Sequence, residues 1–314
     1  MEETASDDSV LSHDRIRASG FGTWKRSNDS WEEGGNMTIG IIGAGRVGCS
    51  IGKYLSGQKD AQVIGYYDTD AQSAKEAARF TGTDSFSLEE LVGLSDTLFL
   101  TTPDGIIEKA WDCIKEMSLA NKIICHFSGS LSSVVFSGIE TTGASGCSVH
   151  PMLAFSDKFT SYQQLNQAFF TVEGDKHAVE VMSRLLRSMG NEVCLIDKEK
   201  KVLYHTAASI LSNQVVAVLD TGYRLLTECG FGREEAVRAT QTLVRNNVEN
   251  VIRQDTVAAL TGPIERGDTA TVEKHLSCLS GSDEQMYRVL AGKLVELAQV
   301  KNPQKDYTQL KELL

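Results

Sequence analysis

Proline is scarce, with 4 in 314 residues, and aromatic side chains make up only 7% of the chain. That scarcity leaves long helices unbroken and excludes collagen-like or proline-rich architectures. Positive charge is also in deficit, since 31 Lys and Arg stand against 42 Asp and Glu for a formal net charge of −11. A surface of that sign repels a phosphate backbone, so nucleic acid is not expected as a partner. No run approaches the roughly 20 apolar residues of a membrane span, so no membrane partner is expected either. The seven cysteines (Cys49, Cys113, Cys125, Cys147, Cys194, Cys229, Cys278) are odd in number and show no close metal-ligand spacing. In a chain of this length they read as reduced thiols rather than disulfide staples. The first residues hold no secretory apolar core, and Glu2, Glu3, Asp7 and Asp8 do not fit an acid-poor transit peptide, so a cytoplasmic location is expected.

What is present is an ordinary globular balance of 41% hydrophobic and 23% charged residues, at a length that favours two domains. Residues 1–36 carry 8 acidic and 4 basic side chains among Ser, Gly and Asn, with no sustained hydrophobic period. They are predicted to be a disordered, solvated extension, in which Trp24 and Trp31 are the unusual members.

From Met37 short β-branched runs alternate with helical patterns, the signature of βαβ units and a mainly parallel sheet. Strands are predicted at 37–42, 62–68, 97–102, 122–127, 146–150, 168–173 and 192–196, with helices starting near Arg46, Asp70, Gly105 and Lys176. Beyond Asp197 the strand signals stop, and helices are punctuated at Cys229-Gly230, Thr261-Gly262-Pro263, Gly281 and Asn302-Pro303. The expected architecture is α/β: a Rossmann-type, mostly parallel sheet over residues 37–197, followed by an all-helical domain over 198–314 that binds substrate or dimerises.

The first strand runs straight into Gly43-Ala44-Gly45-Arg46-Val47-Gly48 and then into a helical pattern. This is the strand–turn–helix setting in which a GxGxxG loop holds a dinucleotide. Gly43 suits the tight turn, Gly45 lets backbone approach a pyrophosphate, and Gly48 allows close helix–strand packing, while the helix N-terminus offers free N–H groups to the anion. Asp68 lies 20 residues beyond Gly48, where a carboxylate accepts ribose hydroxyls and favours NAD. Arg46 would instead suit the 2′-phosphate of NADP, so both cofactors stay open. Thr102 and Pro103 close the third predicted strand at the sheet's carboxyl edge and are expected on the nicotinamide side of the cleft.

Two histidines end consecutive predicted strands, His126 in Cys125-His-Phe-Ser-Gly-Ser130 and His150 in Ser148-Val-His-Pro-Met152. Imidazole is suited to moving the proton that accompanies hydride transfer. His150 is the first choice, with Ser128 as its hydrogen-bond neighbour; either histidine would also serve simply as a strand-end structural residue. On the first helix after Asp197, His205, Ser209 and Asn213 follow i, i+4, i+8 spacing, a polar stripe that would line a wet cleft or face solvent. In Ala259-Leu-Thr-Gly-Pro-Ile-Glu-Arg-Gly-Asp268, Arg266 has the geometry to clamp a carboxylate or phosphate, or with Asp268 to cap and salt-bridge a helix start. A metal site built on His126, His150 and His205 has no recognised ligand spacing, and none is expected.

Gly43 to Gly48, His126-Phe-Ser-Gly129, His150-Pro151, Tyr204-His205, Asn213 and Leu260 to Asp268 together resemble an uncharacterised family of Rossmann-like NADP oxidoreductases within the 6-phosphogluconate dehydrogenase-like superfamily. The resemblance covers most of residues 37–280 and implies a Rossmann domain followed by a helical domain that often forms homodimers. It supplies no substrate. A more distant resemblance is to prephenate and arogenate dehydrogenases, in which a strand-end serine and a His-Pro element match Ser128 and His150; Leu153-Ala-Phe155 departs from the glycine usual there. The catalytic lysine motif of β-hydroxyacid dehydrogenases is absent from the helix that carries His205 and Asn213, so that route is not expected.

The sequence therefore predicts an NAD(P)-dependent oxidoreductase acting on a small polar, anionic substrate. His150 would shuttle the proton and Ser128 orient it. Asn213 and His205 would hold the reacting oxygen or the nicotinamide amide, and Arg266 an anionic group. The rivals are a nucleotide-sensing protein without turnover and a helical dimerisation module with a vestigial cofactor site.

Overall fold

The computed structural model describes residues 36–314; the predicted disordered extension, with Trp24 and Trp31, lies outside the described residues except for Asn36. The chain runs β1 (Met37–Ile42), α1 (Arg46–Leu55), β2 (Ala61–Tyr67), α2 (Ala71–Thr81), β3 (Asp84–Ser85), α3 (Leu88–Leu94), β4 (Thr97–Leu100) and α4 (Asp104–Ile114). It continues through β5 (Ile123–His126), β6 (Ser145–Pro151), β7 (Phe170–Gly174), α5 (Lys176–Ser188) and β8 (Val193–Leu195). Helices follow: α6 (Lys201–Ser209), a π turn (Ile210–Gln214), α7 (Val215–Glu228), α8 (Arg233–Gln254), α9 (Thr256–Ala259), α10 (Thr269–Ser277), α11 (Gly281–Lys301) and α12 (Thr308–Leu313).

The strands pair in the order β3-β2-β1-β4-β5-β6-β7-β8, parallel throughout except between β6 and β7. Strands β4 and β5 are buried along their whole length, as continuous apolar runs in a two-sided sheet must be. One face packs Ile39, Ile41, Phe99, Cys125, Cys147 and Val149 against α1, α2 and α5. The other packs Ile42, Leu98, Leu100 and Ile124 around Trp111 of α4, whose indole donates to the Ser137 carbonyl at 3.0 Å.

The predicted strands are all present, with ends shifted by a residue or two, and Asp70 caps α2 by accepting from the Gln72 N–H at 3.1 Å. Two elements were not anticipated. Strand β3 has only two residues, too few for a period. Helix α3 starts at a reciprocal capping box between Ser87 and Glu90.

Chain order reverses between β1 and β4, so the loops after these strands flank the crevice in which doubly wound sheets bind ligands. Past β8 all regular structure is helical, as expected. Leu260, Val272, Leu276, Val295 and Leu310 form a separate small core among α9 to α12. Helices α7 and α8 form a hairpin through Cys229–Gly232, and of their side chains only Ala236 is buried. Leu211 and Ile252 are each 77% exposed. The helical stretch Lys198–Glu228 is long and apolar enough to cross a membrane by length and composition, which the sequence reading did not register, because polar residues such as His205, Ser209, Asn213 and Gln214 interrupt its apolar run.

Candidate active site

The dinucleotide cleft has a volume of about 450 Å³ and is lined by Gly43, Gly45, Asp68, Thr69, Thr101, Thr102, Pro103 and Ile106, among others. Gly43 holds φ of +106°, and a Cβ on it would stand 2.9 Å from the Thr101 and Thr102 backbone. A Cβ on Gly48 would lie 2.1 Å from the Gly43 carbonyl, so helix and strand approach more closely than any side chain permits. At Gly45 nothing lies within 4 Å of that position: this glycine opens onto space, beside the unpaired N–H groups of the first turn of α1.

Ala44 is buried and Val47 packs beneath the loop. Asp68 stabilises the loop directly, with Oδ2 accepting from the Ala44 N–H at 2.7 Å and Oδ1 from the Asp70 N–H at 2.9 Å. The Arg46 guanidinium points the other way, donating to the Phe155 carbonyl at 3.3 Å. Pro103 is the N-cap residue of α4, and Thr102, which lines the cleft, has a buried hydroxyl with no partner among the described residues. An open pyrophosphate cradle and an orphaned hydroxyl suit a bound dinucleotide, which these residues would hold.

The histidines are separated by register. His126 pairs with Ser148 across β5 and β6, so His150, two residues further, stands on the same face about 6 to 7 Å nearer the carboxyl edge. His126 is therefore fully buried against Phe136, its Nδ1 accepting from the Ser128 N–H at 3.2 Å. Burial first, and then the charge of Lys201, push its pKa down to about 4.

His150 is half-buried, with Nδ1 2.8 Å from the Tyr204 hydroxyl. Burial, then the Lys201 charge and the neighbouring His205, hold its pKa at about 3, so the ring is neutral at physiological pH. The two rings of His150 and His205 meet edge to face with centroids 6.1 Å apart. Gly129 sits between them: a Cβ there would lie 2.5 Å from His205 Nδ1 and 2.8 Å from His150 Nε2. His205 Nδ1 is buried without a partner among the described residues.

Ser128 forms the turn that presents Gly129. Its hydroxyl accepts from the N–H groups of Ser130 at 3.1 Å and Leu131 at 3.0 Å, so it shapes the loop while Tyr204 is the partner of His150. The Ser130 hydroxyl donates to Asp104 at 2.7 Å, tying this turn to the start of α4 beside the cleft.

Other predicted residues stay outside this group in the single chain. Asn213 is exposed in the π turn, where its Oδ1 accepts from the Ser212 hydroxyl at 3.1 Å. The spacing argument assumed 3.6 residues per turn, and the π turn breaks that phase after Ser209. Arg266 is exposed in the turn before α10, while Asp268 caps that helix by accepting from the Thr271 N–H at 3.0 Å.

Sequence reasoning named Gly129 and Tyr204 only within matching motifs, without a role, and did not single out Lys201. Lys201 is 1% exposed, with its ammonium donating to the Ser128 carbonyl at 2.9 Å and the Ser148 hydroxyl at 2.8 Å. Burial lowers its pKa to about 8, against the opposing pull of Glu173 and Asp104. The signal was available, because Lys201 extends the His205–Ser209 stripe one turn towards the N-terminus and Tyr204 lies one turn along from it.

Comparison with known proteins bears on the fold and on the dinucleotide-binding segment. Residues 6–120 match the family described as D-isomer specific 2-hydroxyacid dehydrogenase, NAD binding domain, and residues 168–294 match a domain of unknown function, DUF2520. The glucose-6-phosphate 3-dehydrogenase of Bacillus subtilis is 29% identical over 130 residues, 40% of this chain. The match spans only 35% of that relative's length. Among solved structures, a Thermotoga maritima protein is 25% identical with a TM-score of 0.68, covering 84% of this chain and 99% of that one.

A Bacteroides fragilis protein provisionally named an NADP oxidoreductase has the same TM-score at 20% identity, covering 83% of this chain and 98% of its own. The NADP-bound pyrroline carboxylate reductase of Plasmodium falciparum reaches 0.56 at 14% identity, over 85% and 97% of the two chains. The chain thus joins an NAD(P)-binding domain to a DUF2520 segment in the fold of dehydrogenases and reductases, consistent with the resemblance to 6-phosphogluconate dehydrogenase-like NADP oxidoreductases.

Proposed function

We propose that the protein is an NAD(P)-dependent oxidoreductase that transfers a hydride between the nicotinamide and a small polar, anionic substrate seated against His150 and His205. The observation that carries this reading is the Gly129 turn, whose buried backbone packs so closely on the two rings that a Cβ would stand 2.8 Å from His150 Nε2 and 2.5 Å from His205 Nδ1, so that both ring nitrogens converge on one point. This point lies at the strand edge, in a turn tied through Ser130 to Asp104 at the start of α4. When bound, the nicotinamide supplies or takes up the hydride. The accompanying proton needs a protein group within hydrogen-bond reach of the substrate oxygen.

His150 is the proton shuttle in this reading. Tyr204 occupies Nδ1, which leaves Nε2 for the substrate and couples the two nitrogens through the ring's tautomers. The orphaned Nδ1 of His205 gives the reacting oxygen a second polar contact, and Ser128 positions the turn. Asn213 is assigned to the substrate oxygen or the nicotinamide amide and Arg266 to the anionic group. Both roles require the π turn that carries Asn213 and the turn before α10 that carries Arg266 to approach the cleft, by movement of the helical region or from a second copy.

The protein is further read as a cytoplasmic homodimer, the exposed apolar faces of α6 to α8 meeting their equivalents on a second copy. Analytical ultracentrifugation of the full chain is expected to give twice the chain mass. A monomer at micromolar concentration, with α6 to α8 binding detergent or lipid, would overturn that assembly.

The activity is tested by following nicotinamide absorbance with hydroxy acids and imino acids against all four cofactor forms. Gly129→Ala is the structural control. The added methyl would displace the two histidine rings and is expected to lower kcat/KM by about 100-fold or more through their misplacement, with dinucleotide affinity unchanged. Wild-type turnover in Gly129→Ala would remove the substrate from this position.

A further inference from the structure

Lys201 has no ion-pair partner within 4.0 Å among the described residues, although it is almost wholly buried. Desolvated ammonium groups are costly, and an apolar side chain of the same length would fill the same space. Its surroundings follow from strand register. His126 on β5, Ser148 on β6 and Glu173 on β7 form one rung, and His150 and Thr171 form a rung nearer the carboxyl edge. Lys201 enters this polar face from the first turn of α6, bonded to Ser148 and to the carbonyl of Ser128, with its charge 5.8 Å from the centre of the Tyr204 ring.

One ammonium therefore touches the middle strand of the rung, the turn that carries Gly129, and the face of the tyrosine that binds His150. We propose that Lys201 is a positioning residue: its ammonium fastens the Gly129 turn to helix α6 and adds to burial in disfavouring protonation of the two strand-end histidines. The inference rests on the reading of His150 as the proton-transfer group, but its test needs no turnover.

The groups that act on His150 come from every side. Lys201, Tyr204 and His205 face it from α6, His126 from β5 and Asp104 from the start of α4, while Thr171 pairs with it on β7. Lys201, His205 and His126 disfavour the imidazolium, Asp104 favours it, and burial is the largest influence. Glu173 and Asp104 in turn favour the charged form of Lys201. Removing the ammonium takes away the strongest of the charge effects while burial remains. Both His150 and His126 then become easier to protonate, because Lys201 stands second among the causes at each.

The test is an NMR titration of imidazole Cε1–H resonances in the full chain, assigned by single His→Gln substitutions, in wild type, Lys201→Met and Lys201→Arg. In Lys201→Met the midpoints of His150 and His126 are expected to rise by at least about one unit, while those of His177 and His275, outside this cluster, stay in place. Lys201→Arg, which keeps the charge, is expected to hold both midpoints near the wild-type values.

Unchanged midpoints in Lys201→Met would overturn the proposal. An equal rise in Lys201→Arg would overturn it too, by showing that disturbed packing and not charge controls the histidines. Lys201→Gln, neutral but still able to hydrogen bond to Ser148, takes the same measurement if the methionine variant does not fold. Absence of hydride transfer in wild type would defeat the functional reading while leaving the titration result standing.

Discussion

Gly45→Val is expected to fold as well as wild type and to lose dinucleotide binding. The reason is local: a Cβ at Gly45 meets nothing within 4 Å, whereas one at Gly48 meets the Gly43 carbonyl at 2.1 Å and the Thr101 hydroxyl at 2.5 Å. Valine at Gly45 therefore adds its methyl groups to the space a pyrophosphate needs, without displacing protein. In thermal shift, a dinucleotide at 100 times its dissociation constant stabilises the folded state by about 2.7 kcal/mol. That corresponds to roughly 5 to 10 °C in a protein of this size.

The wild-type shift should vanish in Gly45→Val while the unliganded melting temperature stays within a degree or two. Gly48→Val, by contrast, should lower the unliganded melting temperature itself. A full dinucleotide shift in Gly45→Val would move the phosphate site away from this loop.

The second large effect is expected at His150. His150→Ala removes the strand-end imidazole that packs against Gly129, and loss of a general acid or base lowers kcat/KM by about 10²- to 10⁴-fold. Dinucleotide affinity should be unchanged, because no residue of the glycine loop touches His150 in the hydrogen-bond network. Tyr204→Phe, which keeps the ring and removes only the partner of Nδ1, should fall between wild type and His150→Ala. Turnover unaffected in His150→Ala would leave His150 a strand-end structural residue and point to Tyr204 or His205.

The sheet was legible in the sequence because its inner strands are buried on both faces and read as continuous apolar runs. The glycine loop was legible because its meaning depends only on the strand before it and the helix after it. The histidine cluster was less so. His126 and His150 occupy similar places in the sequence, yet pairing of His126 with Ser148 buries one and leaves the other at the edge, and register is a property of two strands together. Lys201 was hidden for a different reason: lysine is ordinarily a surface residue, and only packing of α6 over the His126–Ser148–Glu173 rung reverses that expectation. Asn213 was placed by assuming a regular α-helix, and a five-residue π turn is invisible to a 3.6-residue period.

That π turn, Ile210–Gln214, acts as a slack link in the helical run. It closes a full turn with one residue more than an α-turn, so a surplus residue that would rotate a regular α-helix by about 100° is absorbed on the spot. Deleting that residue would return the helix to a regular pitch and leave the stretch beyond it facing nearly the same way. The α7–α8 hairpin and its apolar face would keep their heading, and the change would fall on the side chains of the turn itself, Asn213 among them.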